Sequence, residues 1–173
     1  MKKTLFLSPP TFDGYDGGAG SRYQCKREVK SFWYPTWLAQ LAALVPDSKL
    51  IDAPARGLTL DGLLLTAGDY EFLVIYTSTP SFLNDIKVAE AYKTANPDLL
   101  IGFCGAHVAI NNEASILASS AVDFVCDTEF DFTIQEIAQG APLKSVAGIT
   151  ILKDGNPYFT GKRPLIQDMD SLP

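Results

Sequence analysis

The chain has 173 residues, 47% hydrophobic and 20% charged, the composition of a single globular domain with a real core. A net charge of −6, with no basic cluster larger than Lys26-Arg27 plus Lys30, argues against nucleic acid as the main partner. Cys25, Cys104 and Cys126 form no CxxC, so no zinc or iron–sulfur site is legible. Likewise no run approaches the roughly 20 apolar residues of a membrane span, and the segment before Ser8-Pro9-Pro10 is too short for a signal peptide. The expectation is a soluble, cytoplasmic domain with reduced thiols.

Thr4-Leu5-Phe6-Leu7 is a short apolar run cut by Ser8-Pro9-Pro10, which predicts a buried strand. Thr11 to Ser31 reads as a long loop rich in glycine and tyrosine. Pro35 opens a helix whose apolar stripe is Trp37, Leu38, Leu41, Leu44 and Val45, and Pro46 ends it. Lys49 to Pro54 predicts a second strand and Thr59 to Ala67 a weaker helix. Phe72 to Tyr76 is the clearest strand; Thr77-Ser78-Thr79-Pro80 follows it, with Ser81 as N-cap of a helix over Phe82 to about Thr94.

After the Asn96-Pro97-Asp98 turn, the run from Leu99 to Phe103 predicts a fourth strand. It leaves through Cys104-Gly105-Ala106-His107, which holds the chain's single histidine, and a helix follows around Asn112 to Ala118. Val122 to Cys126 is a fifth strand, Asp127 to Asp131 an acidic loop, and Thr133 to Ala138 a short helix ending at Gly140. Gly148 to Thr160 reads as a hairpin turning at Asp154-Gly155. Residues 162–173 have no clear period and read as a linker after a domain over 1–161.

Five strand–helix repeats imply an α/β fold, a flavodoxin-like (Rossmann-like) five-stranded parallel sheet of order 2-1-3-4-5 with a C-terminal hairpin. Its ligand crevice is expected above the first and third strands. Three strand ends converge there: Ser8-Pro9-Pro10, Thr77-Ser78-Thr79 and Cys104-Gly105-Ala106-His107. Small residues let a large flat ligand approach the backbone, and hydroxyls offer donors and acceptors. His107 is readable as a ligand contact, a general base or a plain loop histidine. No GxSxG supports a nucleophilic triad, and Gly17 to Ser21 lacks the lysine and spacing of a phosphate loop. Cys104 and Cys126 close apolar runs and read as buried thiols, while Cys25 beside Lys26 and Arg27 is a candidate reactive one. Glu129 and Asp131, at the end of the fifth strand, are a candidate carboxylate pair or a solvated loop.

The order Leu7-Ser8-Pro9-Pro10, Tyr76-Thr77-Ser78-Thr79, Cys104-Gly105-Ala106-His107, Thr128-Glu129-Phe130-Asp131 resembles the amino-terminal domain of cobalamin-binding radical-SAM enzymes. That family tends to carry a PP turn, a serine/threonine strand end, a GGPH turn and a GEGE turn. Asp168-Met169-Asp170-Ser171-Leu172-Pro173 is similar to the linker that enters its radical-SAM barrel. Gly14 to Gln24 and Ser31 to Gln40 are similar to the hopanoid-biosynthesis subgroup, associated with reductive opening of ribosylhopane.

The resemblance implies a cobalamin-binding module that is not catalytic alone. Cofactor contacts fall at Ser8, Pro9, Pro10, Tyr76, Thr77, Ser78, Thr79, Cys104, Gly105, Ala106, His107, Thr128 and Glu129. It also implies a partner radical-SAM domain carrying a 4Fe–4S cluster and S-adenosylmethionine, and a hopanoid lipid substrate. Cys104 and Ala106 depart from GGPH, and Thr128, Phe130 and Asp131 depart from GEGE. No DxHxxG follows the first strand, so no axial histidine is expected from that position, and His107 would touch the corrin or its side chains.

Two other classes compete on the residues alone. A receiver-like signalling domain needs an acidic pair after the first strand and a lysine after the fifth, where none occurs until Lys144. A flavodoxin-type flavin or nucleotide binder needs a hydroxyl-rich loop after the first strand, where only Ser8 and Thr11 stand.

Overall fold

A computed structural model describes residues 1–11 and 34–173, together with the backbone of Tyr15–Asp16 and Gln24–Cys25. The main sheet has seven strands. They are β1 (Thr4–Ser8), β4 (Lys49–Asp52), β5 (Phe72–Tyr76), β6 (Leu100–Cys104), β7 (Phe124–Cys126), β8 (Ile149–Lys153) and β9 (Asn156–Phe159). Strands β2 (Tyr15–Asp16) and β3 (Gln24–Cys25) pair antiparallel inside the stretch that the sequence reads as one loop.

The sheet order is β4-β1-β5-β6-β7-β8-β9, and the first five strands are parallel. This is the expected 2-1-3-4-5 order. The hairpin extends the same sheet, because β8 pairs antiparallel with β7 and β9 with β8. Ile149, Thr150 and Ile151 are buried there, so this strand covers what would be an open β7 edge. Asp154 and Gly155 both take positive φ in the two-residue turn, as the Asp-Gly pair predicts.

Side-chain alternation divides the core into two. Leu5, Leu7, Leu73, Ile75, Ile101 and Phe103 face α3 (Leu60–Leu64), α4 (Phe82–Ala95), α5 (Ala106–Ile110) and α6 (Asn112–Leu117). Phe6, Phe72, Val74 and Phe124 face α1 (Thr36–Leu44) and α7 (Asp131–Ala138). Strands buried on both faces read as unbroken apolar runs, which is why the sequence exposes them so plainly. A short helix, α2 (Ala53–Arg56), follows β4 directly.

The differences from expectation are local. Trp37 is 55% exposed, while Leu38, Leu41 and Val45 form the buried stripe of α1. The helix read over Thr59 to Ala67 is α3 followed by a separate 3₁₀ turn at Ala67–Asp69. His107 stands in the first turn of α5 instead of a loop, because Gly105 completes the reversal alone. Helix α7 starts at Asp131, two residues before the predicted start. No helix among the described residues is long and apolar enough to cross a membrane.

Candidate functional site

Parallel neighbours β1, β5, β6 and β7 end on one edge of the sheet, so their exit turns lie side by side. The pairing of Leu7 with Ile75 and of Tyr76 with Cys104 puts Ser8, Thr77 and Gly105 at nearly one level. Thr77 N continues the ladder beyond β5 by donating to Cys104 O at 2.8 Å. Gly105 then turns with φ of +113°, and a Cβ there would lie 2.4 Å from Thr77 O. A side chain at this position would part the two turns, so glycine is required by space and by backbone angle alike.

Hollows flank this edge on both faces of the sheet. On the α4 face, Pro10, Pro54, Leu58, Leu60, Asn84 and Val88 line a space of about 390 Å³. On the α1 face, Trp37, Tyr76, Gly105, Ala106, Thr128 and Phe130 line about 150 Å³. This runs into a further 270 Å³ against Gln40, Glu129, Asp131, Ile166, Met169 and Leu172, with Trp37, Thr128 and Phe130 shared. Apolar walls with a few polar groups are the usual make-up of a small-molecule site.

The expected site residues divide by depth. Ser8, Thr77 and Cys104 are buried beneath the edge, and Cys104 Sγ packs against Ile75 O at 3.8 Å. Burial pushes the Cys104 and Cys126 thiols far above their ordinary range, which fits inert packing residues. Pro9 is buried, and Pro10 borders the α4-face hollow. Tyr76, Gly105, Ala106 and Thr128 border the α1-face hollow, and Tyr76 meets the Phe130 ring edge-on at 6.3 Å. Glu129 also borders that face, but its Oε2 accepts from Ile166 N at 2.6 Å and so holds the C-terminal segment. Asp131 has its carboxyl pushed up, first by burial and then by neighbouring Glu129.

His107 joins two turns. Its Nδ1 lies 3.1 Å from Thr79 Oγ1, and its ring stacks on Phe82 with centroids 4.2 Å apart. Burial lowers its pKa below 6.5, so it is neutral at neutral pH, able to accept through one ring nitrogen and donate through the other. Among the described residues no three His, Cys, Asp or Glu side chains gather to hold a metal ion.

Buried polar atoms are ordinarily paired. Ser8 Oγ at the end of β1, Thr77 Oγ1 after β5 and Asn84 Nδ2 in the first turn of α4 have no partner among the described residues. Tyr92, Ser115 and Thr150 carry such atoms elsewhere in the fold. The three at the β1–β5 edge lie where the strand order reverses, the place at which open α/β sheets take ligands. Unpaired polar atoms at this edge are what a ligand rich in hydrogen-bonding groups would need nearby, and the Gly105-Ala106 turn carries no side chain larger than a methyl group.

Sequence reasoning missed Asn84, Asp85 and the Trp37–Phe130 wall. Trp37 matches an apolar helical stripe, which hides its exposure. Asp85 has one signal, its position four residues after Ser81, which brings the two side chains together on one helix face. The Gly14 to Gln24 string, the Gly17 to Ser21 run, Ser31 to Trp33 and the Cys25 side chain lie outside the described residues, apart from the backbone of β2 and β3.

No protein-family model matches the chain. It is 27% identical over 182 residues to the uncharacterized methyltransferase PH0819 of Pyrococcus horikoshii, covering all of this chain and 38% of that protein. Among solved structures it resembles the radical S-adenosylmethionine methyltransferase TsrM of Kitasatospora setae, solved with cobalamin and a 4Fe–4S cluster bound. The TM-score is 0.67 at 11% identity, over 98% of this chain and 30% of that one. The chain thus spans less than two fifths of the length of either protein. At this identity the structural likeness establishes the fold, a Rossmann-like α/β domain with a mostly parallel seven-stranded sheet.

Proposed function

We propose that the chain is a cobalamin-binding module that presents a corrinoid to a radical-SAM domain of a larger enzyme. One observation carries this reading: the turns after β1, β5, β6 and β7 share one edge, with unpaired buried polar atoms at the strand-order reversal. The alignment of the whole chain to 38% of an uncharacterized methyltransferase and the fold shared with TsrM support it.

In this reading the flat ring system rests on Gly105 and Ala106, where the backbone is bare of bulky side chains. Half-buried Ser78 and Asn84, above the buried hydroxyls of Ser8 and Thr77, offer hydrogen-bonding groups to its amides and phosphate, and Trp37, Tyr76 and Phe130 wall its edge. Neutral His107, held by Thr79 and Phe82, faces the ligand as a hydrogen-bonding group. Cobalamin, when bound, supplies cobalt-centred reactivity that no side chain here offers. The protein's part is position, water exclusion and polarity.

The module extends over 1–161, with 162–173 leading toward the radical-SAM domain, where the 4Fe–4S cluster and S-adenosylmethionine belong. A hopanoid lipid is the proposed substrate class, on the Gly14 to Gln40 resemblance. The test is co-elution: the chain mixed with hydroxocobalamin is passed through gel filtration. About one red corrinoid retained per chain is expected, and colourless protein would reject the reading.

A further inference from the structure

A three-residue hydrogen-bond chain sets the polarity of the crevice beside β5. Asp85 is fully buried in α4, and Ser81 Oγ donates to its Oδ2 at 2.9 Å. Ser81 is itself fully buried and receives Ser78 N at 3.1 Å. The two hydroxyls of Ser78 and Ser81 stand 2.9 Å apart.

A serine hydroxyl has one proton and two lone pairs. Ser81 has two competing acceptors for its proton, Asp85 Oδ2 and, at 3.2 Å, Ser78 O, and neither of these can donate in return. A carboxylate acceptor makes the stronger bond, the more so away from water. With its proton committed to Asp85, Ser81 can only accept from Ser78, both from the amide and from the hydroxyl. The Ser78 proton is then used inside the protein. Half-buried Ser78 then has lone pairs alone to offer a group outside the protein. Its neighbour Thr77 is fully buried, with a hydroxyl lacking any partner among the described residues, so this turn retains unused hydrogen-bonding capacity.

We infer that Asp85, through Ser81, fixes Ser78 as an obligate hydrogen-bond acceptor, so that this turn selects a ligand group that donates N–H and rejects a carboxylate in the same place. This rests on the corrinoid reading, where the donor is one of the ligand's peripheral primary amides. Asp85 is a positioning residue and Ser78 the contact.

The test compares hydroxocobalamin with its set of monocarboxylic acids, each having one peripheral amide replaced by a carboxylate, by absorbance titration of the full chain. For the wild type, one monoacid binds about tenfold more weakly than the parent, the worth of one good hydrogen bond. In Asp85→Asn the side-chain amide can donate to Ser81. Ser81 can then donate to Ser78, and Ser78 can turn its proton outward, so the amide-to-acid ratio for that monoacid falls toward one. Ser78→Ala removes the acceptor and also collapses the ratio, by weakening the parent. If Asp85→Asn does not fold, Ser81→Ala frees the Ser78 proton and should give the same collapse. A merely structural role would weaken all ligands together and leave the ratio unchanged, which overturns the inference. So would a wild type that binds every monoacid as tightly as the parent. Failure of hydroxocobalamin itself to bind overturns the corrinoid reading, and this inference with it.

Discussion

Gly105 and His107 are the residues on which the crevice geometry depends most directly. Gly105→Ala must place a Cβ against Thr77 O and hold alanine at a φ of +113°, so a loss of about 1–3 kcal/mol is expected in urea unfolding. An unchanged midpoint would show that the turns can part freely. His107 is the chain's single histidine, so its ring proton resonances need no assignment. Burial lowers its pKa in the fold, so between that value and the ordinary 6.5 the unfolded chain binds more protons than the native one. Stability from this group is complete above about pH 6.5 and declines as pH falls through the folded value. An NMR titration should give a midpoint below 6.5, and His107→Gln should remove that part of the acid slope; a midpoint at or above 6.5 contradicts the placement. The sequence displayed Gly105 and His107 as a small-residue turn. It could not show that Gly105 alone makes the reversal, since that follows from the approach of Thr77, twenty-eight residues away in the chain and adjacent in the ladder.

Packing between elements explains what else must be small. Gly102 in β6 lies under the Phe124 ring of β7, and a Cβ there would come within 2.1 Å of it. Gly102→Ala should cost about 1–3 kcal/mol by overpacking. Phe124→Leu in the same chain should return part of that, because it vacates the space. Equal losses in single and double variants would place the strain elsewhere. The C-terminal segment is tied to α7 and its entry turn by Arg163 to Glu136 at 2.6 Å and by Ile166 N to Glu129. Glu129→Ala should therefore speed hydrogen exchange at Ile166 with little change in melting temperature. Parallel strands were legible because both faces are buried and their runs are unbroken. Short α5 was not, since five residues carry too little period to distinguish them from a turn. Trp37 was misplaced for a related reason: an aromatic on an apolar stripe looks the same whether it faces a core or a crevice wall.

For the whole molecule, the sheet order gathers the exit turns of its five parallel strands at one edge, and the helices divide between two faces so that hollows open on each side of it. That arrangement was readable from the strand–helix repeat and the handedness of crossovers. The two hollows were not, because they depend on how far α1, α4 and α7 stand from the strand ends. The central claim is that this edge seats a corrinoid, and the most direct measurement is an absorbance titration with hydroxocobalamin of the wild type beside Ala106→Trp. Ala106 is exposed and borders the α1-face hollow, so an indole fills the space without disturbing the core. The account predicts a saturable shift of the corrin spectrum at one equivalent for the wild type, and affinity at least about tenfold weaker in the variant, a loss no smaller than that of one good hydrogen bond. No spectral shift in the wild type, or equal affinity in both proteins, would contradict it.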